Sequence, residues 1–569
     1  MRQRWHLLCI LVVAVACTTA WSQTQAPPQN YAAIAFHDVV DDARELDADA
    51  ITSDRLVAFF DWLRGNDWHA ISLDDIVRAE QGLQALPSKP ILITFDDGYR
   101  SLYTRVYPLA LAYHIPVVAT LVGAWLDAAP DASVQYGDQT VPRSKFISWH
   151  QAREMQASGL IEFASHSYGL HEGVQTNSQG TQLPSAIAHR FLGSQVPQNE
   201  DESSLYARVK ADLDRSRALM RRELGRAPRA LAWPFGRYNE TGLAAARASG
   251  FSIAMTLRLE PADLEHPMAI GRYWPSHNPP LGQLVTHIGF QPVLPAAQRL
   301  VCVNPLSIWS ADSAEFDANL GKTIERLRAL GATDAVIDAV AFGADGKIEA
   351  SWFPNSELPM RGNALSRIAW QLHTRAGVDI AARLPHRAVQ ERLATEQATL
   401  TLFRELGAQV PFDALMVEDA QFNDFSDTDG ATWQTAHARQ TLQPTNMNGN
   451  DAVALRSFRA VRAGSPELRL VLLQTDESMS PRPSAVADLS LFPAAMLQGT
   501  IAPTQARRIG VWLEQETAPD NETLIAFTRD FQARGGAALG WCPDDPIANQ
   551  PVATKVAPAV SAATFPARF

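Results

Sequence analysis

From Tyr31 onward the chain alternates short apolar runs with amphipathic stretches, and this restricts its fold more than any other feature. The runs "YAAIAFH", "PILITFD", "PVVATLVG", "GLIEFASHS", "RALAWPFG" and "GFSIAMTL" are continuously apolar, the pattern of parallel strands buried on both faces. Helical stretches such as "SDRLVAFFDWLRG" and "SLYARVKADLDRSRALMRREL" separate them. A barrel-like (β/α) domain is therefore expected over residues 31–290. The Pro-spaced segment "GFQPVLPAAQ" then interrupts the pattern. Eight further runs follow, "RLVCVNP", "TDAVIDAVAF", "GVDIAARL", "FDALMVEDA", "LRLVLLQ", "AAMLQGT", "RRIGVWLE" and "GGAALGWCP". They predict a (β/α)8 TIM-type barrel over 299–550, with a weakly structured tail at 551–569. The fold class is α/β throughout.

The net charge of −12 argues against nucleic acid as a partner, because binding by counterion release needs clustered Lys and Arg. Arg2 and Arg4 precede the apolar stretch "LLCILVVAVAC", too short for a mature membrane span and suited to an export signal over residues 1–22. Cleavage either before Cys17, which would then carry lipid, or near "AWS" is compatible with the pattern. Exported, the chain would be periplasmic, with membrane contact through that lipid alone. Cys302 and Cys542 remain in the folded part; they read as buried free thiols or, in an oxidising compartment, as a single bridge between neighbouring barrel strands.

Loops after the carboxyl ends of parallel strands are where such folds gather chemistry. Four strand ends carry candidates: His37, the pair Asp96 and Asp97, the histidines His166 and His171, and "WPFG" at Trp233–Gly236. Asp-Asp-Gly alone is ordinary turn chemistry, and a lone histidine is ordinarily a hydrogen-bonded core residue. The imidazoles of "HSYGLH" are five positions apart, about 140° on a helix, so they suit a loop wrapped around a point. Two histidines with a carboxylate from another strand make a set that leaves metal positions open for water and substrate.

"TFDDG", the His-x4-His segment and "WPFG" resemble the sequence blocks of NodB-type polysaccharide deacetylases, carbohydrate esterase family four. The closer resemblance is to the exported poly-β-1,6-N-acetyl-D-glucosamine N-deacetylases, in which the last histidine block lies on the first strand, a circular permutation. His37 in "IAFHDVV" sits there. "HSYGLHEGVQTNSQG", "WFPNSELPMRGNALSRIAWQLHTRAGV" and "GWCPDDPIANQP" extend the likeness over about residues 31–550. The resemblance implies one divalent metal held by Asp97, His166 and His171, with Asp96 as general base and His37 as acid. It also implies that the Phe235 N–H serves the oxyanion, with Pro234 and Trp233 beside the substrate. Trp233 reads mainly as wall, although its face suits stacking on a sugar. The alternative for His37 is a structural histidine bonded to Asp38 or a loop carbonyl. The ligand set suits zinc and equally nickel, cobalt or iron.

In the second module of such relatives a strand ends in a His-Asp-Asp-Ala run with glycosidase chemistry. Here the stretch is "MVEDAQFNDF": Val417 replaces the histidine, Glu418 replaces the first Asp, and Asp419 follows. The extra methylene of Glu moves its carboxyl by about 1.5 Å, a displacement such sites tolerate poorly. The barrel is therefore expected to bind or guide polymer rather than cut it; alternatively, Glu418 and Asp419 merely cap a helix at its mouth. The expected function is partial deacetylation of poly-β-1,6-N-acetylglucosamine during biofilm export, with an outer-membrane porin as partner. Deacetylation of another N-acetylglucosamine polymer and a non-catalytic polysaccharide-binding role are the alternatives.

Overall fold

The computed structural model describes residues 30–562 except 138, 179, 194–198, 290–296, 419–449, 467, 476–486, 498–507, 515–520 and 537. The expected leader, Cys17 and Asp419 lie outside the described residues.

The N-terminal sheet is built from β1 (Asn30–Phe36), β2 (His69–Ile71), β3 (Pro90–Phe95), β4 (Val117–Leu121), β5 (Ile161–Ser165), β6 (Ala230–Ala232) and β7 (Ile253–Met255). Its spatial order is β7-β6-β5-β4-β3-β1, all parallel, with β2 on the start of β3. Both faces are covered, which is why the strands read as unbroken apolar runs. Ile91, Ile93 and Phe95 of β3 pack outward with Phe59 and Phe60 of the helix Ser53–Gly65. Leu92 faces the inner layer with small residues, Ala33, Ala164, Ala230 and Ala232. Alternation along β3 then sends Thr94 and Asp96 inward as well.

Among the described residues the sheet does not close by strand pairing, and the gap between β7 and β1 is stitched by a segment the sequence left unassigned. The Ile270 N–H donates to the Ala254 carbonyl at 2.9 Å and the Thr256 N–H donates to the Ile270 carbonyl at 2.8 Å. Three residues on, the Tyr273 N–H donates to Ala33 at 2.9 Å and the Ala35 N–H to Tyr273 at 2.8 Å. The barrel-like domain is thus an open sheet with a sewn seam.

The C-terminal strands β8 (Gln298–Val303), β9 (Asp334–Asp338), β10 (Asp379–Arg383), β11 (Ala414–Glu418), β12 (Arg469–Leu473), β13 (Leu489–Pro493), β14 (Ile509–Glu514) and β15 (Ala538–Cys542) close a parallel barrel in sequence order. Leu300, Val336, Met416, Val471, Leu491 and Trp512 fill its interior. Closure makes β8 and β15 neighbours, and Cys302 and Cys542 form a disulfide there with their Cα atoms 5.1 Å apart.

Two expectations need correction. The sixth barrel strand is "LSLFP" rather than "AAMLQGT": Leu489 to Phe492 are all buried, Pro493 ends the ladder, and Ala494–Met496 is a 3-10 turn. The segment after residue 550 is not weakly structured as far as it is described. Ala553–Val560 is a helix whose Ala553, Val556, Ala559 and Val560 make a helical stripe buried in the barrel's outer core.

His386 begins the helix His386–Leu393 and lies 3.2 Å from the Ser457 hydroxyl. Burial pushes its imidazole down to about 4. The unfolded chain takes up this proton near pH 6.5, while the fold resists until about 4. Stability therefore falls as pH drops through that window and levels off below it. Between pH 7 and 4.5 the wild type should lose about 2–3 kcal/mol more than His386→Gln in denaturant unfolding. Equal losses in both chains would remove His386 as the cause.

Candidate active site

At the end of β3 the chain turns on two left-handed residues, Asp97 at φ 70° and Gly98 at φ 74°. The Asp-Asp-Gly turn and a functional carboxylate are thus the same feature. Gly98 is required twice over, because a Cβ there would come within 2.7 Å of Leu121 Cδ2. His166 leaves β5 with its N–H donating to the Leu121 carbonyl at 2.8 Å. Its Nδ1 lies 2.8 Å from the Ala232 carbonyl, which makes Nδ1 the proton carrier and leaves Nε2 with a free lone pair.

The loop carrying His171 is shaped from the helix Glu202–Leu224, whose Asp212 accepts the N–H groups of Tyr168 at 2.8 Å and Gly169 at 2.7 Å. The outcome is convergence: His166 Nε2 and His171 Nε2 lie 3.5 and 3.4 Å from Asp97 Oδ1. One ligand atom from each of the three side chains lies within 4.8 Å of the others. Asp97 Oδ1 is buried and accepts no hydrogen bond. A carboxylate oxygen without a donor, facing two imidazole lone pairs, fits a divalent cation. Burial lowers both imidazoles to about 4, so they are neutral and ready to ligate. The second Asp97 oxygen contacts the Tyr136 hydroxyl at 3.1 Å, and that hydroxyl lies 3.0 Å from Asp49.

Asp96, beside Asp97, is held from the sheet interior. Arg272 grips it with Nη1 on Oδ1 and Nη2 on Oδ2, both at 2.8 Å, and Thr120 donates to Oδ1 at 2.9 Å. Burial alone would raise the Asp96 carboxyl, but the charge and hydrogen bonds of Arg272, joined at low pH by His166 and His37 once they are protonated, outweigh it. They hold the group well below the usual carboxylate range. Arg272 is fully buried, sits on the seam segment, and was not singled out from the sequence.

His37 follows β1 with its Nδ1 buried and unpartnered, and its ring meets Trp274 edge-on at 6.1 Å. Asp38 is engaged elsewhere, by the Ser101 hydroxyl at 2.6 Å and the Val39 N–H at 2.9 Å, so the His37–Asp38 pairing is not observed. Phe235 has φ 58° and its ring lies 4.5 Å from that of His171. Among the described residues its N–H has no backbone acceptor. Trp233 is fully buried against Tyr238 and Pro234 is buried, so neither offers a face to substrate; Trp233 is wall.

In the barrel, Glu418 ends β11 and lies 3.4 Å from Arg383 at the end of β10. The same guanidinium holds Asp338 at 2.5 Å. Burial raises the Asp338 carboxyl above the usual carboxylate range, and the charge and hydrogen bond of Arg383 offset only part of that rise.

The polysaccharide deacetylase family model matches residues 84–254, and hypothetical glycosyl hydrolase family 13 matches residues 306–401. The chain is similar to the poly-beta-1,6-N-acetyl-D-glucosamine N-deacetylase of Escherichia coli K12, with 30% identity over 395 residues, 67% of this chain and 58% of that protein. The protein of the same description from Staphylococcus epidermidis is 23% identical over 39% of this chain and 66% of its own length. Among solved structures, the de-N-acetylase from Aggregatibacter actinomycetemcomitans is 31% identical over 45% of this chain and 99% of that one, with TM-score 0.43. The BpsB deacetylase domain from Bordetella bronchiseptica is 33% identical over 44% and 97%, with TM-score 0.40.

His166→Ala should lose bound metal, with metal content falling from about one equivalent per chain to none. Retention of a full equivalent would overturn the ligand assignment. Asp212→Ala, which touches no ligand, should weaken metal affinity roughly 10-fold by freeing the His171 loop, the lower end of what supporting residues contribute. Unchanged affinity in a metal titration would show that the loop holds its shape without Asp212.

Proposed function

This chain carries a polysaccharide deacetylase domain, and we propose that it is a metal-dependent N-deacetylase of poly-β-1,6-N-acetyl-D-glucosamine. The observation that carries this reading is the pair at the end of β3: Asp97 faces two ligand-ready imidazoles, while Asp96, beside it, is kept ionised by Arg272. A divalent ion held by Asp97, His166 and His171 would polarise the acetamide oxygen and acidify water at neutral pH.

The chain's own groups perform the rest. Asp96 accepts a proton from the attacking water, whose oxygen forms the new bond to the acetyl carbon. The Phe235 N–H is available to donate to the oxyanion that develops on the carbonyl oxygen. His37 delivers a proton to the sugar nitrogen as the C–N bond breaks, so acetate and a free amine leave. Each turnover replaces a neutral acetamide by an ammonium group, which changes how the polymer meets anionic surfaces.

The E. coli and S. epidermidis relatives are N-deacetylases of this polymer, which supports the choice of substrate, and the chain spans 58% of the E. coli protein's length. The leader with Arg2 and Arg4 supports export to the periplasm, with Cys17 as the point of lipid attachment and an outer-membrane porin receiving the polymer. No helix among the described residues is long and apolar enough to cross a membrane. Zinc, nickel, cobalt and iron all suit the ligands. The C-terminal barrel binds polymer without cutting it, a role supported by Val417 and Glu418 standing where such relatives carry His and Asp.

Metal-stripped protein should release amine from β-1,6-N-acetylglucosamine oligomers only when zinc, nickel, cobalt or iron is restored, with chain length constant in the same tube. Tight polymer binding without amine release under any metal would replace this reading with a non-catalytic binding protein. Asp96→Asn should lower kcat about 10²–10⁴-fold, normalised to folded, metal-loaded protein. Turnover at the wild-type rate would exclude Asp96 as the base.

A further inference from the structure

A cavity of about 260 Å3 opens beside the metal ligands, between the N-terminal domain and the barrel. Phe235 belongs to both places: its ring lies 4.5 Å from that of His171 on one side and lines the cavity on the other. Across the cavity the barrel contributes Trp370, from the helix Leu365–Gln371, His373 from the helical turn Leu372–Ala376 that continues it, and Asp413, which directly precedes β11. Phe235 and Trp370 are among the large apolar side chains left exposed, at 43% and 38%.

The polar lining also comes from both domains. Arg237 Nη2 lies 3.5 Å from Asp413 Oδ1, a loose pair that leaves most guanidinium donors uncommitted. Asp413 Oδ2 accepts the Ile380 N–H at 2.9 Å. A lining of two aromatic faces with a few fixed donors and acceptors suits a ring with an apolar face and a rim of hydroxyls. The volume lies just below the roughly 300–1,000 Å3 of drug-sized ligand pockets, so it has room for one ring and not an oligomer.

His373, Asp379 and Asp413 also stand close enough together to suggest a second cation site. Their surroundings oppose that, because Arg469 lies 3.0 Å from Asp379 and Arg237 lies on Asp413. The two carboxylates already have cationic partners.

We propose that this interdomain cavity is a subsite for one sugar residue of the same polymer chain, adjacent to the residue being deacetylated, with Phe235 and Trp370 as its walls and Arg237 and Asp413 reading its hydroxyls. The assignment rests on the deacetylase reading for its substrate. The occupant must continue from the hydrolytic centre past Phe235 into the barrel's edge, which an extended polymer does and a free monosaccharide does not. The subsite therefore gives the enzyme preference for longer chains, and it gives the barrel a direct part in substrate selection.

The test compares kcat/KM on β-1,6-N-acetylglucosamine dimer and pentamer. The wild type should favour the pentamer, and Trp370→Ala should remove about tenfold of that preference, mainly through KM, with Trp370→Phe restoring most of it. A length preference that survives in Trp370→Ala overturns the subsite, as does a wild type without any. A fall on dimer and pentamer alike also overturns it, since that marks a general structural effect. If no oligomer is turned over, the deacetylase reading fails by itself, and pentamer titration into metal-stripped protein still decides the subsite. Weaker binding by Trp370→Ala, by fivefold or more, upholds it, and equal binding overturns it.

Discussion

The buried pair of Asp96 and Arg272 is the interaction on which the catalytic half depends. Arg272 is fully buried and Asp96 nearly so, and the guanidinium meets both carboxylate oxygens while also contacting Thr94 and the Thr256 carbonyl. Two charges withdrawn from water are tolerable only when each is satisfied, and removing one member of such a pair typically costs about 3–5 kcal/mol. Arg272 sits on the segment that sews β7 to β1. Closing the sheet and ionising Asp96 are therefore coupled: opening the seam strands a buried charge, and neutralising Asp96 removes the partner of the seam's arginine.

Around that pair the backbone is held where ordinary residues seldom go. Asp97, Ser167 and Phe235 all have left-handed φ, near 70°, 70° and 58°. Each costs on the order of 1–2 kcal/mol relative to a relaxed conformation. They sit at the three loops that supply a metal ligand, the turn toward His171, and the candidate oxyanion donor. Rigid neighbours keep them there, including the parallel register from β4 to β5 and the Asp212 carboxylate beneath the histidine loop. The strain belongs to positions that converge on one point, as expected where backbone placement is part of the chemistry.

Much of this was legible in the sequence, and the rest was hidden for physical reasons. Strands buried on both faces announce themselves as apolar runs, and Asp97, His166 and His171 stand directly after such runs or in the loop that follows. Arg272 gave no such signal, because it lies 176 residues from Asp96 in a short stretch without periodicity and its meaning comes wholly from what it meets. Asp212 was hidden inside a long amphipathic helix, where an acidic residue is ordinarily a solvated one. Trp233 reads mainly as wall, and strand alternation does turn it into the core rather than toward the loop where a sugar platform would stand. The sixth barrel strand and its following turn form one apolar stretch, within which Pro493 and the register alone fix the end of the strand.

The barrel's two ends divide its possible roles. At the carboxyl ends of its strands, where barrels of this type do chemistry, Arg383 engages Asp338 and Glu418, and the Cys302–Cys542 bridge lies close by, with Cys542 Sγ 3.9 Å from Arg383. At the opposite ends, His373 and Asp413 meet Phe235 and Arg237 from the catalytic domain across a shared cavity. An amino-terminal barrel face ordinarily serves stability. Here that face supplies an exposed tryptophan and polar groups beside the loop that carries Phe235, while the mouth holds Arg383 between Asp338 and Glu418. The barrel therefore meets the first domain through its underside, beside Phe235, rather than through the mouth where barrels of this type gather their chemistry.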